Sequence, residues 1–298
     1  MKTTGYIVLS LSLAVSASAV LTQLTFDPWS QYDPDWSRDG AAICFECYYA
    51  GDYAIWTVPA AGGTPTQLTF EEGPEYCPAW SPDSSKVAFE TLWDGDYDVW
   101  SITVIGGTLE QIISYPTEEG TPTWSPDGTE IAFVSNLSGD WDIWKAPVAG
   151  GPATQLTFGT AVDSFPYWSP DGTTVAFESD ASGNYDIWTV PATGGTPTQI
   201  TTDPADDRVP NWSPDSSMII FSSDRSGNRD IWLIPVTGGT AVQVTDHPAS
   251  EMSGCFSPDG TKIAFDSNRT GNYDIWIMDY DEVSVEPTSL GRLKTYFK

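Results

Sequence analysis

The chain has 298 residues, 40% of them hydrophobic, enough for one substantial core. Twelve basic residues against 41 acidic ones give a formal net charge of −29. Such a chain repels nucleic acid and anionic membrane surfaces and attracts divalent cations and basic partners, while excess carboxylate equally serves to keep an exported protein soluble.

The N-terminus reads as a signal peptide over residues 1–19. Lys2 supplies the positive end, Tyr6 to Val15 the apolar stretch, and Ala17-Ser18-Ala19 the small-x-small cleavage pattern. The expected location is therefore extracytoplasmic: periplasmic, secreted or cell-surface. The apolar stretch is too short to span a bilayer, and no transmembrane segment is expected after it. Export leads to an oxidising compartment, where Cys47 and Cys77 are the expected disulfide pair. Cys44 and Cys255 read as buried thiols, and four free thiols remain the alternative.

From residue 20 onward one period governs the chain. Trp36, Trp80, Trp124, Trp168 and Trp212 stand 44 residues apart, with Phe256 in the next place. Trp56, Trp100, Trp144, Trp188, Trp232 and Trp276 keep the same interval, and so do Gly-Gly pairs at Gly62, Gly106, Gly150, Gly194 and Gly238. A period of this length with only strand signals predicts propeller blades. In the fourth unit, Phe165 to Trp168 is the innermost strand and Ser169-Pro170-Asp171-Gly172 a tight turn. Thr174 to Glu178 and Tyr185 to Val190 follow as strands two and three. Gly194-Gly195 turns into an outer strand, Thr198 to Thr201. The sixth unit lacks its outer strand, whereas Gln23-Leu24-Thr25 is a spare copy at the start. The predicted fold is thus an all-β, six-bladed propeller over residues 20–283, closed by the N-terminal strand pairing into blade 6. Residues 284–298 form a tail with the weakly amphipathic series Leu290, Leu293, Tyr296 and Phe297, read as a sorting tag or a frayed end.

The unit that carries Pro166, Trp168-Ser169-Pro170-Asp171-Gly172, Val175-Ala176-Phe177, Ser182-Gly183-Asn184, Asp186-Ile187-Trp188, Gly194-Gly195 and Gln199-Ile200-Thr201 resembles the PD40, or TolB-like (WD40-like), propeller repeat. The resemblance covers residues 20–283. It implies the fold strongly and the function weakly, because its members include TolB, propeller domains of prolyl-oligopeptidase-like peptidases and oligogalacturonate lyases. TolB adds an N-terminal α/β domain for which this sequence leaves no room, so only the propeller is carried over.

Catalytic content is thin. There is no G-x-S-x-G elbow, and His247 is the single histidine, which argues against both a peptidase triad and a histidine-rich metal site of the lyase kind. Asp39, Asp83, Asp127, Asp171, Asp215 and Asp259 read as turn formers, and Asp98, Asp142, Asp186, Asp230 and Asp274 as repeated structural acceptors. Gln31, Glu75, Glu119, Asp163, Asp207 and Glu251 stand five residues before each blade's inner Trp or Phe. If they converge at the channel mouth, the five acids suit a hard cation such as Ca²⁺; if not, each caps amides in its own loop. No other cofactor is implied.

Departures from the repeat point to binding. Trp29, Tyr32, Tyr49, Tyr76 and Trp93 crowd the loops of blades 1 and 2, while Arg208, Arg225, Arg229 and Arg269 stand on the opposite side. Such aromatics either anchor a protein or glycan partner or pack between blades. The leading expectation is a non-catalytic interaction scaffold that contacts a protein or glycan through its loop face. The alternative is a Ca²⁺-dependent carbohydrate hydrolase or lyase that uses the channel-mouth carboxylates. Oligomeric state stays open.

Overall fold

A computed structural model describes residues 20–93 and 95–280. The expected signal peptide and C-terminal tail lie outside these residues. Twenty-four strands form six antiparallel sheets of four, and among the described residues there is no helix. Blade 1 is typical in order: Gln31–Trp36, Ala42–Tyr49, Asp52–Pro59 and Thr66–Gln67. In blade 6 the chain-terminal strands meet as Leu21–Gln23 beside Asp274–Asp279, then Lys262–Ser267 and Glu251–Phe256. The ring therefore closes as the sequence predicts, and no blade is left with an open outer edge there.

Alternation along the second strand builds the core. Phe45, Phe89, Phe133, Phe177, Phe221 and Phe265 are each at most 1% exposed, one per blade. Burying each such ring is worth about 1.5–3 kcal/mol. Trp36 and its four successors, with Phe256, fill the next layer toward the channel. Each innermost strand ends in a Ser-x-Asp-Gly/Ser turn held by side chains. In blade 4, Ser169 Oγ donates to Asp171 Oδ1 at 2.7 Å, and Asp171 Oδ1 accepts the Thr173 N–H at 2.9 Å. These bonds hold the turn aspartates below the usual carboxylate range, with the Thr173 amide first and the Ser169 hydroxyl next as causes in this blade.

The outer strand of blade 4 is shorter than predicted. In blade 4 the ladder covers only Thr198–Gln199. Beyond it Thr201 Oγ1 accepts the Ile187 N–H at 2.9 Å, a bond that elsewhere in a ladder a backbone carbonyl would take. The hydroxyl thus ends the strand while leaving no donor orphaned.

Every innermost strand carries a bulge. Its register shifts between Tyr32 and Asp35 in blade 1 and at the equivalent place in the other five. The bulged residues Asp33, Cys77, Thr121, Phe165, Val209 and Ser253 have φ between 45° and 52°, a left-handed conformation costly for side-chain-bearing residues. A proline follows the bulge in five blades and Gly254 in the sixth. Proline has no N–H to leave unpaired where the strand faces the channel.

Blade 1 departs from its neighbours at the loop face. In blades 3 to 6 a Ser or Thr closes the turn onto the third-strand Asp, as Ser182 Oγ does to Asp186 Oδ2 at 2.5 Å. Blade 1 has Ala50 and Ala54 in those places. Its hairpin instead keeps pairing through Tyr48↔Tyr53 and Tyr49↔Asp52, and turns on Ala50 and Gly51, both at positive φ.

Candidate functional site

The repeated third-strand acids are structural. Asp142 accepts from Gln155 Nε2 at 2.7 Å and from Ser138 Oγ at 2.6 Å, and Asp186 and Asp230 have the same partners. This accounts for the outer-strand Gln of blades 2 to 5, while Gln67 and Gln23 donate instead to the Thr69 and Thr25 carbonyls.

The acids at the strand starts do not converge. Glu75, Glu119, Asp163, Asp207 and Glu251 are all buried, none lines the channel, and each is engaged near its own blade. Glu119 accepts Thr117 Oγ1 at 2.6 Å and the Tyr115 N–H at 2.8 Å. Asp207 takes Arg225 at 2.7 and 2.6 Å, and Glu251 is paired with Arg269. Glu75 accepts Thr69 Oγ1 at 3.1 Å, and burial pushes its pKa up to about 8. Gln31 is the neutral version, accepting Thr25 Oγ1 at 2.6 Å. In place of the expected gathering at a channel mouth, these carboxylates sit buried and away from the residues that line the channel.

The five singled-out aromatics divide into three groups. Trp93 packs on Phe89 and Trp100, with ring centroids 5.8 and 5.1 Å away. Tyr49 lies 5.6 Å from Trp56 and also meets Trp29 at 5.6 Å, and both Tyr49 and Trp29 stay exposed. In blades 5 and 6 the places of Tyr49 and Trp93 belong to Arg225 and Arg269, whose guanidinium groups sit 4.9 and 4.7 Å from Trp232 and Trp276. Tyr49, Trp93, Arg225 and Arg269 therefore each cover the third-strand Trp of their blade, by aromatic or by cation–π contact. Tyr32 and Tyr76 belong to a third group, a tyrosine arc: Tyr273–Tyr32 at 4.9 Å, Tyr48–Tyr53 at 5.0 Å, Tyr53–Tyr76 at 4.7 Å and Tyr76–Tyr97 at 6.4 Å. The arc runs over blades 6, 1 and 2.

The channel holds a chamber of about 70 Å³, lined by the bulged residues and the prolines after them. At one end Tyr167 Oη donates to Asp35 Oδ1 at 2.5 Å, a bond between opposite blades 4 and 1. Beyond it lies a second chamber of about 290 Å³, ringed by Pro82, Pro126, Pro170, Pro214 and Pro258, with Arg38 where blade 1 lacks the proline.

Sequence reasoning missed the acids of the first chamber. Glu46, Glu90, Glu178 and Asp266 occupy one position of the second strand, filled by Val134 and Ser222 in the other two blades. Each Glu reaches across to the next blade's bulge: Glu46 accepts the Cys77 N–H at 2.9 Å, Glu90 the Thr121 N–H at 2.5 Å and Glu178 the Val209 N–H at 2.9 Å. Glu178 is also paired with Arg208 at 3.1 Å, and that guanidinium lies 3.4 Å from the Tyr185 ring centre. Among the described residues no cation is paired with Glu46, Glu90 or Asp266. Burial, and next the Asp33 charge, push Glu46 well above the carboxylate range. Burial takes Glu90 to about 7, and burial with the Asp33 charge takes Asp266 to about 8. Recurrence of an acid at 46, 90, 178 and 266 was the available signal, masked because strand alternation makes such a position look like an outward polar one.

The cysteines are unpaired. Glu46 and Cys47 point to opposite faces of one strand. Cys47 packs toward blade 6 and meets Gln31 Nε2 at 3.9 Å, whereas Cys77 sits at the channel beside Glu46. The expected Cys47–Cys77 disulfide is corrected on that ground. His247 is a loop cap whose Nδ1 accepts the Ala249 N–H at 3.0 Å.

Comparison with known proteins agrees with this architecture. The family model described as the TolB beta propeller domain matches residues 71–165 and 209–296, together more than half of the chain, and the Tricorn protease N-terminal beta propeller domain matches residues 139–230. No curated protein matches the chain in sequence. Among solved structures, a putative TolB from Agrobacterium tumefaciens is similar at 20% identity and TM-score 0.70, covering 89% of this chain and 98% of its own. TolB from Acinetobacter baumannii is similar at 21% identity and TM-score 0.66 over 85% of this chain, which spans only 64% of that protein. An oligogalacturonate lyase from Vibrio parahaemolyticus is similar at 15% identity and TM-score 0.63, over 88% of this chain and 94% of its own. At such identities the structural likenesses speak for the fold alone. The family-model match, together with the six closed blades and their repeated Ser-x-Asp-Gly/Ser turns, places the chain in the TolB β-propeller family.

Proposed function

We propose that the protein is an exported, non-catalytic binding scaffold whose loop face over blades 6, 1 and 2 docks a protein partner. The observation that carries this reading is the clustering of symmetry-breaking aromatic surface on that face. The extended blade 1 hairpin lifts Tyr48 and Tyr49, each more than 40% exposed, beside Trp29, and Tyr48 joins the tyrosine arc through Tyr53. Rigid, half-exposed rings of this kind give large contact area at low ordering cost, as hot-spot residues do. Export rests on the leader-like residues 1–19. TolB relatives support a binding role by likeness of fold, and the partner class is our reading. A glycan is the second candidate for the same rings, since aromatic faces also stack on sugars. The Ca²⁺-dependent hydrolase or lyase alternative loses support because the carboxylates it relied on are bonded singly within their blade junctions.

The test is affinity capture from extracytoplasmic fractions with the wild-type propeller and a Trp29→Ala/Tyr48→Ala variant, alongside a glycan array. A protein retained by the wild type and lost by an equally stable variant supports the proposal. Equal retention by both removes this face as the docking surface, and array binding without protein capture reassigns it to a glycan.

A further inference from the structure

The geometry points to a divalent transition-metal site in the first chamber, where blades 6, 1 and 2 meet, built from Asp33, Glu46, Cys77 and Asp266. This goes beyond the docking role and does not depend on it. One ligand atom from each of Asp33, Glu46 and Cys77 lies within 4.8 Å of the other two, a spacing that one ion can bridge. Two of the three sit on equivalent bulges at φ 50° and 52°, so strained backbone of the same kind presents both side chains. Glu46 is held between them. Its Oε2 takes the Cys77 N–H at 2.9 Å, which leaves Oε1 for a ligand. Asp33 Oδ1 takes Ser253 Oγ at 2.5 Å, which leaves Oδ2.

Asp266 supplies an independent indication. It is 0% exposed, and neither of its carboxylate oxygens has a hydrogen-bond partner. It occupies the position of Glu46 in the preceding blade but is one methylene shorter. It comes near the Asp33 amide and the Ser253 hydroxyl without completing a bond to either. A buried carboxylate of this kind is stable only as a neutral acid or beside a cation. Across the channel the same positions hold Thr121, Val134, Phe165, Val209 and Ser222, and Glu178 is already paired with Arg208. The donor set is therefore confined to one arc, unlike the acids that every blade repeats for folding.

The donors select the ion. Ca²⁺ and Mg²⁺ take oxygen ligands, whereas a thiolate among carboxylates favours a borderline ion such as Zn²⁺ or Co²⁺. Binding forms a metal–sulfur bond as the Cys77 S–H proton leaves to solvent, with no change of oxidation state.

Cobalt titration of the chelator-stripped protein, followed by absorption, tests the assignment. The expected result is a thiolate-to-cobalt band that saturates at one equivalent, is bleached by Zn²⁺ and is absent in Cys77→Ser. Serine suits that bulge, since Ser253 holds the same place at φ 51°. Asp33→Asn and Asp266→Asn should each weaken Zn²⁺ binding by roughly tenfold or more in calorimetry. No saturable cobalt band, a band that survives Cys77→Ser, or uptake of Ca²⁺ alone would each overturn the site.

Discussion

At the scale of single residues, identical positions are solved by different chemistry, and the local partner decides which. The first residue of each inner strand is always buried. It is neutral as Gln31, carries Arg225 or Arg269 beside Asp207 or Glu251, and is bonded to hydroxyls and an amide at Glu119. The Arg that neutralises Asp207 is also the group that stacks on Trp232, so one side chain serves two ends. Arg225→Ala should therefore cost about 3–5 kcal/mol in urea unfolding, because it leaves Asp207 buried and unpaired. Adding Asp207→Asn should recover a large part of the loss; purely additive costs would mean that the pair is not coupled. Ser169→Ala should cost about 1–2 kcal/mol, since Ser169 Oγ both donates to Asp171 and accepts the Thr174 N–H at 3.0 Å. Turn and third-strand aspartates were legible in sequence because their partners are a few residues away or recur in phase. The chamber acids were not, since their partner is the amide of a bulge in the next blade. That bulge has no residue signature, being filled by Asp, Cys, Thr, Phe, Val and Ser in turn.

Among the elements, the closing strand is the one whose loss should matter most. It was readable as a spare Gln-Leu-Thr copy, though its ladder covers Leu21–Gln23 and the Leu24 and Thr25 bonds lie just past it. Leu24 N donates to Ile275 O at 2.8 Å, and Thr25 Oγ1 accepts the Ile275 N–H at 2.9 Å. Leu24 is 4% exposed within the blade 6–blade 1 core. A chain beginning at Pro28 should lose these bonds and that burial and leave the Asp274–Asp279 strand with an open edge. The expected outcome is a melting temperature lower by roughly 10 °C or more, with concentration-dependent association on size exclusion. A monomer with unchanged melting would show that blade 6 is stable with three strands. The blade 1 hairpin shows the opposite kind of legibility. Ala50 and Ala54 break the repeat visibly, but which conformation replaces the lost Ser–Asp bond follows from strand pairing between tyrosines, which a single-residue reading does not weigh.

Over the whole molecule the charge of −29 is spread across two populations of carboxylate that respond to pH in opposite senses. The turn aspartates have folded pKa values below their ordinary one, so their contribution is present at neutral pH and is lost as pH falls through the folded values. Glu75 and Glu90 are raised, to about 8 and about 7, by burial. The folded state then holds their protons more tightly than the unfolded state does. Their contribution is full below the ordinary value of 4.5 and is lost as pH rises through about 7 to 8. Stability should thus peak in acidic solution, at roughly pH 4–4.5, and decline as pH rises through about 8. Calorimetric melting in the presence of chelator, which keeps any bound metal out of the comparison, measures this directly. General self-repulsion of an acidic chain would give a decline of the same sign. Two single-charge variants separate the causes. Glu72→Gln removes an exposed charge and should barely change the profile. Glu75→Gln, which copies the Gln31–Thr25 arrangement of blade 1, should leave melting near pH 4 unchanged and raise it at pH 9. Equal effects of the two variants would trace the decline to net charge, whereas a selective gain in Glu75→Gln traces it to a carboxyl that folding keeps protonated.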